Sequence, residues 1–141
     1  LKEDKEIFIL DTSAILTYIE DEEGAEYVEN ILVTAEKGDV VIYVCFISLT
    51  EVFYITMQEK DESEASSRIR LIQSLAVRIE ESSESLNLGA GRIKATNSIS
   101  LADAYIAGLC QELGGVLVHK DPEFEKLSSL IRDYRLPYKT S

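Results

Sequence analysis

The sequence predicts an α/β fold: a mostly parallel sheet covered by helices on both faces. Short, continuous apolar runs recur along the chain, and each is followed by a stretch with apolar residues at helical spacing. No internal repeat, low-complexity tract or linker breaks the alternation. Strands of a parallel sheet are buried on both sides, so they read as unbroken apolar runs and not as an apolar–polar alternation.

The elements follow in order. Residues 7–10 (IFIL) form a first strand ending at Asp11, and TSAILTYIE forms a helix with Thr12 placed to cap it. Residues 24–37 carry Ala25, Val28, Ile31 and Leu32 at helical spacing, and Gly38-Asp39 ends that helix before the strand VVIYV at 40–44. Residues 48–59 then read as a helix opened by Ser48, with Glu51 three residues on in the capping-box spacing. Residues 61–75 make another amphipathic helix, and 76–79 a short strand. Helices over 83–96 and 100–113 follow, the latter stopped by Gly114-Gly115. Residues 116–118 form a further strand, with Asp121 beyond it and a last helix opening at Pro122.

A length of 141 residues suits one domain over residues 1–141. Fourteen Lys and Arg against 26 Asp and Glu give a net charge of −12, which excludes a protein that grips phosphates over its whole surface. The excess is local: residues 1–91 hold seven basic and twenty acidic side chains, residues 92–141 seven and six. Acids around 20–29 and 59–64 read as solvated helix faces. Cys45 and Cys110 lie in apolar runs without a CxxC or a neighbouring His, which predicts buried free thiols and a reducing, cytoplasmic setting. No apolar stretch is long enough for a membrane span, and the first residues lack a signal peptide's pattern.

Two acids stand where polar groups are costly. Asp103 shares a helical stripe with Ile106, Ala107 and Cys110, and Glu51 shares one with Tyr54 and Ile55. A buried carboxylate needs a partner or it keeps its proton, and neither helix offers a Lys or Arg. Taken singly, Glu51 could cap its helix, Asp103 could bind a hydroxyl, and Asp11 and Asp121 could be ordinary anions before helices. Taken together, two acids from strand ends and two from helix faces can converge above the sheet, and four carboxylates there would repel unless a hard divalent cation bound among them. Oxygen donors of this kind suit Mg²⁺ or Mn²⁺, as in phosphodiester cleavage.

Four segments, FILDTSAIL at 8–16, SLTEVFYI at 48–55, SISLADAYIAGL at 98–109 and VLVHKDPEFEKL at 116–127, make the chain resemble the PIN-domain ribonucleases, in particular the VapC-type toxins of toxin–antitoxin pairs. The resemblance implies a three-layer α/β/α PIN-like fold and a metal-dependent endoribonuclease. It implies that Asp11, Glu51, Asp103 and Asp121 hold Mg²⁺ or Mn²⁺ and carry catalysis, with Ser13 orienting the first acid or a metal-bound water. It further implies an RNA substrate cut to a 3′-hydroxyl and a 5′-phosphate, a basic antitoxin partner and a homodimer built on the early helices, where Tyr18, Ile19, Tyr27 and Val28 lie. One departure stands out: the family usually has Thr or Ser two residues before its last Asp, and this chain has His119. His119 could be a general base, a metal ligand or a hydrogen-bonding replacement. Lys120, beside Asp121, is the candidate RNA contact. Glu123 could add a fifth carboxylate or serve the helix dipole.

Competing folds fail on the same residues. A haloacid-dehalogenase phosphatase needs a second Asp two places after Asp11, where Ser13 stands, and a receiver domain needs clustered acids after the first strand, an Asp after the third and a Lys after the fifth, a pattern that only Asp11 fits. No Gly-rich phosphate loop, Cys/His metal cluster or Ser-His-Asp order occurs. The alternative function is a PIN-like interaction module with weak or lost nuclease activity, whose acidic groove binds a basic protein partner.

Overall fold

All four apolar runs become strands, and they lie parallel. The computed structural model describes residues 4–139. Strand β1 (Glu6–Leu10) leads into helix α1 (Thr12–Ile19), followed by α2 (Ala25–Glu36), β2 (Val40–Cys45), α3 (Phe46–Glu59), α4 (Glu62–Ser74) and β3 (Arg78–Glu80). Helices α5 (Glu84–Thr96) and α6 (Leu101–Leu113) precede β4 (Val116–His119), a short 3-10 helix (Pro122–Leu127) and β5 (Arg132–Arg135). The strands form one all-parallel sheet in the order β3-β2-β1-β4-β5.

The pleat of β1 explains the three layers. Successive side chains point to opposite faces. Ile9 and, on β4, Leu117 enter a core built with Leu86, Ile93, Ile106 and Leu109 of α5 and α6. Phe8, Leu10 and Val118 enter the opposite core with Ile15, Val28, Leu32, Val52 and Ile72. Both faces are therefore covered, which is why the runs carry no polar alternation. Val28 is fully buried in the second core and Tyr27 stacks on Tyr134 with ring centroids 3.8 Å apart, so these two early-helix residues serve the fold of the chain itself.

Four local expectations change. Asp11, not Thr12, caps α1, its side chain accepting the Ala14 N–H. Helix α3 starts at Phe46 directly from β2, with Cys45 as a cap that lacks a side-chain hydrogen bond, so Ser48 and Glu51 form no capping box. Packing of Phe46 and Ile47 against the α5/α6 core fixes that first turn instead. The last helix is a 3-10 turn, whose buried residues Phe124 and Leu127 lie three apart and suit three residues per turn. Strand β5, RDYR, has no apolar run, and its charged residues suit an exposed edge protected from pairing with other chains.

The acids near 20–29 and 59–64 are also more than solvated faces. Arg68, buried to 6% exposure, places Nη1 3.2 Å from Glu20 Oε2 and 3.4 Å from Thr56 Oγ1, with Nε 3.5 Å from Glu64 Oε2. This ties α4 to α3 and to the end of α1. Cys45 and Cys110 are buried and unpaired, and burial pushes the Cys45 thiol up to about 11. Among the described residues, no helix is long and apolar enough to cross a membrane.

Two glycines close the step from α6 to β4. Gly114 ends the helix in the left-handed region at φ 66°, its N–H reaching Cys110 O. Gly115 lies against β1: an added Cβ would stand 2.3 Å from Ile9 Cδ1 and 3.1 Å from Ile7 O. Gly115→Ala is therefore expected to cost about 1–3 kcal/mol by overpacking, read as a lower midpoint in urea at unchanged slope.

Candidate active site

The sheet runs β1, β2, β3 to one side and then restarts on the other side with β4 and β5. The point of reversal lies between β1 and β4, and the crevice outside the carboxyl ends of the strands at such a point is where open α/β sheets bind ligands. Asp11 follows the last residue of β1, and its N–H donates to Val118 O of β4 at 3.2 Å. His119, Lys120 and Asp121 leave β4 at the same edge.

Asp11 is 2% exposed and is held from three directions. Its Oδ1 accepts the Ala14 N–H at 2.7 Å, and the Ser13 hydroxyl lies 2.7 Å from both carboxylate oxygens. Ser13 Oγ in turn accepts the Lys120 N–H at 2.8 Å. Ser13 thus joins the start of α1, the end of β4 and the carboxylate. Burial pushes the Asp11 carboxyl up to about 8; the bonds from Ser13 and Ala14 oppose the rise, and the charges of Asp103 and Asp121 add to it.

Asp103 sits in the first turn of α6, capped by Ser100, whose Oγ accepts the Asp103 N–H at 3.1 Å. It is half-buried, and burial, then the charges of Asp121 and Glu51, raise it to about 7. Asp121 caps the 3-10 helix through the Glu123 N–H at 2.9 Å. Glu51 lies half-buried on α3, but its expected stripe is not the buried one: Tyr54 is 46% exposed, and the buried positions are Ser48, Val52 and Thr56. Instead Thr12 Oγ1 donates to Glu51 Oε1 at 2.5 Å, with Ser48 Oγ 3.1 Å from the same hydroxyl. Thr12 and Ser48 are supports that the sequence reading missed. Local sequence places Thr12 at the helix cap, and 39 positions separate it from Glu51.

His119 is completely buried with both ring nitrogens engaged, Nδ1 by the Asp121 N–H at 3.1 Å and Nε2 by Asp133 Oδ2 at 2.8 Å. Neither nitrogen is left free for a substrate or an ion. Lys120 reaches the site through its backbone. Its ammonium turns away to Glu23 O at 2.7 Å and stands 3.7 Å from Glu22 Oε1. Glu123 is exposed and pairs with Lys126 at 2.9 Å. A cavity of about 280 Å³ begins beside Ser13 and Lys120 and is lined also by Glu20, Glu22, Glu59 and Tyr138. None of the four acids lines it.

Asp103 and Asp121 act on the Asp11 carboxyl, and Asp121 and Glu51 on that of Asp103, which links the four in one electrostatic cluster. Among the described residues, no three His, Cys, Asp or Glu side chains draw close enough to form a finished metal cage. The donor set still fits a hard divalent cation: it is all carboxylate oxygen, and among the described residues no basic side chain is hydrogen-bonded to any of the four.

The PIN domain family is matched over residues 8–130. No curated protein matches by sequence. Among solved structures, the chain is similar to VapBC2 from Rickettsia felis bound to a DNA fragment from its promoter, with TM-score 0.76 at 18% identity over 93% of this chain and 99% of that one. It is also similar to DNA-bound VapBC from Salmonella typhimurium, with TM-score 0.73 at 20% identity over 92% and 98% of the two chains. A third likeness is to VapC20 of Mycobacterium tuberculosis, a sarcin-ricin loop cleaving toxin, with TM-score 0.66 at 15% identity over 84% and 92%.

Asp11 and Asp103 bind protons more tightly in the folded chain than in the unfolded one. Their contribution to stability is complete below the ordinary carboxylate pKa and is lost as pH rises through about 7 and about 8. In chelator, Asp11→Asn, which keeps a capping oxygen, is expected to gain at least about 1–2 kcal/mol on wild type between pH 5 and pH 8. Denaturant melts at the two pH values check this, and parallel losses in both proteins would refute it.

Proposed function

The chain belongs to the PIN domain family, and from that premise we propose that it is a divalent-metal-dependent endoribonuclease, the toxin of a toxin–antitoxin pair. The observation that carries the reading is the gathering of four acids from the ends of β1 and β4 and from α3 and α6 at the point where the sheet reverses, with Asp11 raised by burial and by the charges of Asp103 and Asp121, and Asp103 by burial and by those of Asp121 and Glu51. A structural cluster would neutralise such acids with Lys or Arg. A site built for Mg²⁺ or Mn²⁺ leaves them for the ion.

Asp11, Asp103 and Asp121 would hold the cation, with Glu51 binding directly or through water. When bound, the cation would supply Lewis acidity, lowering the pKa of a water molecule and offsetting negative charge on the phosphodiester. The chain's own part is orientation. Ser13 and the Ala14 N–H aim the Asp11 carboxylate, Thr12 aims Glu51, and the Glu123 N–H holds Asp121. Fixing these groups in advance removes reorganisation from the reaction itself.

The partners follow from the same charges. An acidic cluster without its cation attracts a cationic side chain, so a basic segment of an antitoxin is the fitting inhibitor. The similar structures from Rickettsia felis and Salmonella typhimurium are of DNA-bound VapBC, and that from Mycobacterium tuberculosis is of a sarcin-ricin loop cleaving toxin, which supports both halves of the reading. A homodimer and a cytoplasmic setting belong to the same proposal.

RNA cleavage by the purified chain is expected to need Mn²⁺ or Mg²⁺ and to stop in chelator. Asp11→Asn and Asp103→Asn should each lower the rate by about 10²–10³-fold. Equal residual activity in wild type and Asp11→Asn at every metal concentration would refute the catalytic reading. Millimolar Mn²⁺ should also raise the melting temperature of wild type and leave that of Asp11→Asn nearly unchanged.

A further inference from the structure

The end of β4 holds an arrangement that the four acids do not account for. A backbone N–H can only donate, so His119 Nδ1, which receives the Asp121 N–H at 3.1 Å, carries no proton. The ring's hydrogen is therefore on Nε2, donated to Asp133 Oδ2 at 2.8 Å. Asp133 belongs to β5, where it stands opposite Leu117, and its Oδ2 is steadied by Arg135 Nε at 3.1 Å. The ring cannot turn easily: it is completely buried, Phe124 packs against it with centroids 5.2 Å apart, and His119 O accepts the Leu136 N–H at 2.8 Å. Reversing the tautomer would set Nδ1–H against the Asp121 N–H and leave Asp133 facing a bare nitrogen, stranding polar groups in a buried place.

We infer that Asp133 is a positioning residue of the acid site: by accepting the Nε2 hydrogen it fixes the His119 tautomer whose Nδ1 holds the Asp121 backbone, and so sets where the Asp121 carboxylate stands. The edge strand β5 thereby becomes part of the site, although it contributes no group to the cluster. This inference rests on the proposed role of Asp121 as a site acid. A carboxylate that orients an imidazole for its other contact is a familiar device around metal centres, where losing it weakens metal affinity by about 10–100-fold.

His119 is the sole histidine, so the imidazole ¹⁵N resonances of labelled protein report on it alone. In the metal-free wild type the Nε2–H pattern is expected, with coupling across the bond from the Asp121 N–H to Nδ1. An Nδ1–H pattern, or an exchange-averaged one, would overturn the inference without any variant. Mn²⁺ titration then tests the consequence: Asp133→Ala and His119→Gln, whose amide can donate to Asp133 but has no acceptor at the Nδ1 position facing the Asp121 N–H, should bind Mn²⁺ about ten-fold or more weakly. Asp133→Asn, which retains an accepting oxygen, should stay near wild type in both affinity and ring pattern. Unchanged affinity in Asp133→Ala, alongside loss in Asp121→Asn, would overturn the inference alone. Unchanged affinity in Asp121→Asn would overturn the site reading and the inference with it. If Asp133→Ala or His119→Gln fails to fold, the wild-type ring pattern and Asp133→Asn still decide.

Discussion

The pairing of β1 with β4 is the contact on which everything at the site depends. The strands are far apart in sequence, yet Leu10 lies opposite Val118 and the Asp11 N–H continues the ladder onto Val118 O. Ser13 then extends this main-chain pairing into side chains, accepting from the Lys120 N–H and donating to the Asp11 carboxylate. A one-residue slip between parallel strands would turn every side chain to the other face. Phe8, Leu10 and Val118 on one side and Ile9 and Leu117 on the other hold the register by burial in two separate cores. The precision of the acidic edge comes from these apolar residues.

That register forces an unfavourable placement. Asp11 is nearly sealed from water, and Asp103 and Asp121 stand close enough to raise it further. Desolvation dominates both raised acids; like charge comes next for Asp103, whereas for Asp11 it ranks below the opposing bonds from Ser13 and Ala14. The fold tolerates this because the bonds from Ser13 and Ala14 offset part of the cost and because a protonated acid is cheap to bury. Stability is surrendered at the place where a divalent ion would return it, a pattern common where function requires charge. The tethers around the cluster serve the same end. Arg68 draws α1, α3 and α4 together, and Lys120 anchors β4 to the turn after α1 through Glu23 O.

Much of this was legible beforehand. Ile7 to Leu10 and Val40 to Val44 announced themselves as buried strands, and the capping serines Ser83 and Ser100 opened α5 and α6 where local chemistry says they should. Local rules failed where a distant contact outweighed them. Ser48 and Glu51 have the capping-box spacing, but packing of Phe46 and Ile47 carried α3 back to the end of β2 and freed Glu51 to meet Thr12. RDYR lacks any strand signal because an edge strand is bound by main-chain hydrogen bonds to β4 and has little side-chain burial to advertise. His119 in place of a hydroxyl residue was visible, but its partner Asp133 lay in the strand that was not.

The sequence by itself determined the layered α/β class and the order of helices and strands up to β4, since burial periodicity and capping are local properties of neighbouring residues. Tertiary structure alone decided which hydroxyl holds which carboxylate, how far burial raises Asp11 and Asp103, and that β5 closes onto β4 to place Asp133 against His119. These are contacts between residues distant along the chain, and their energies depend on desolvation that exists only once the sheet is assembled.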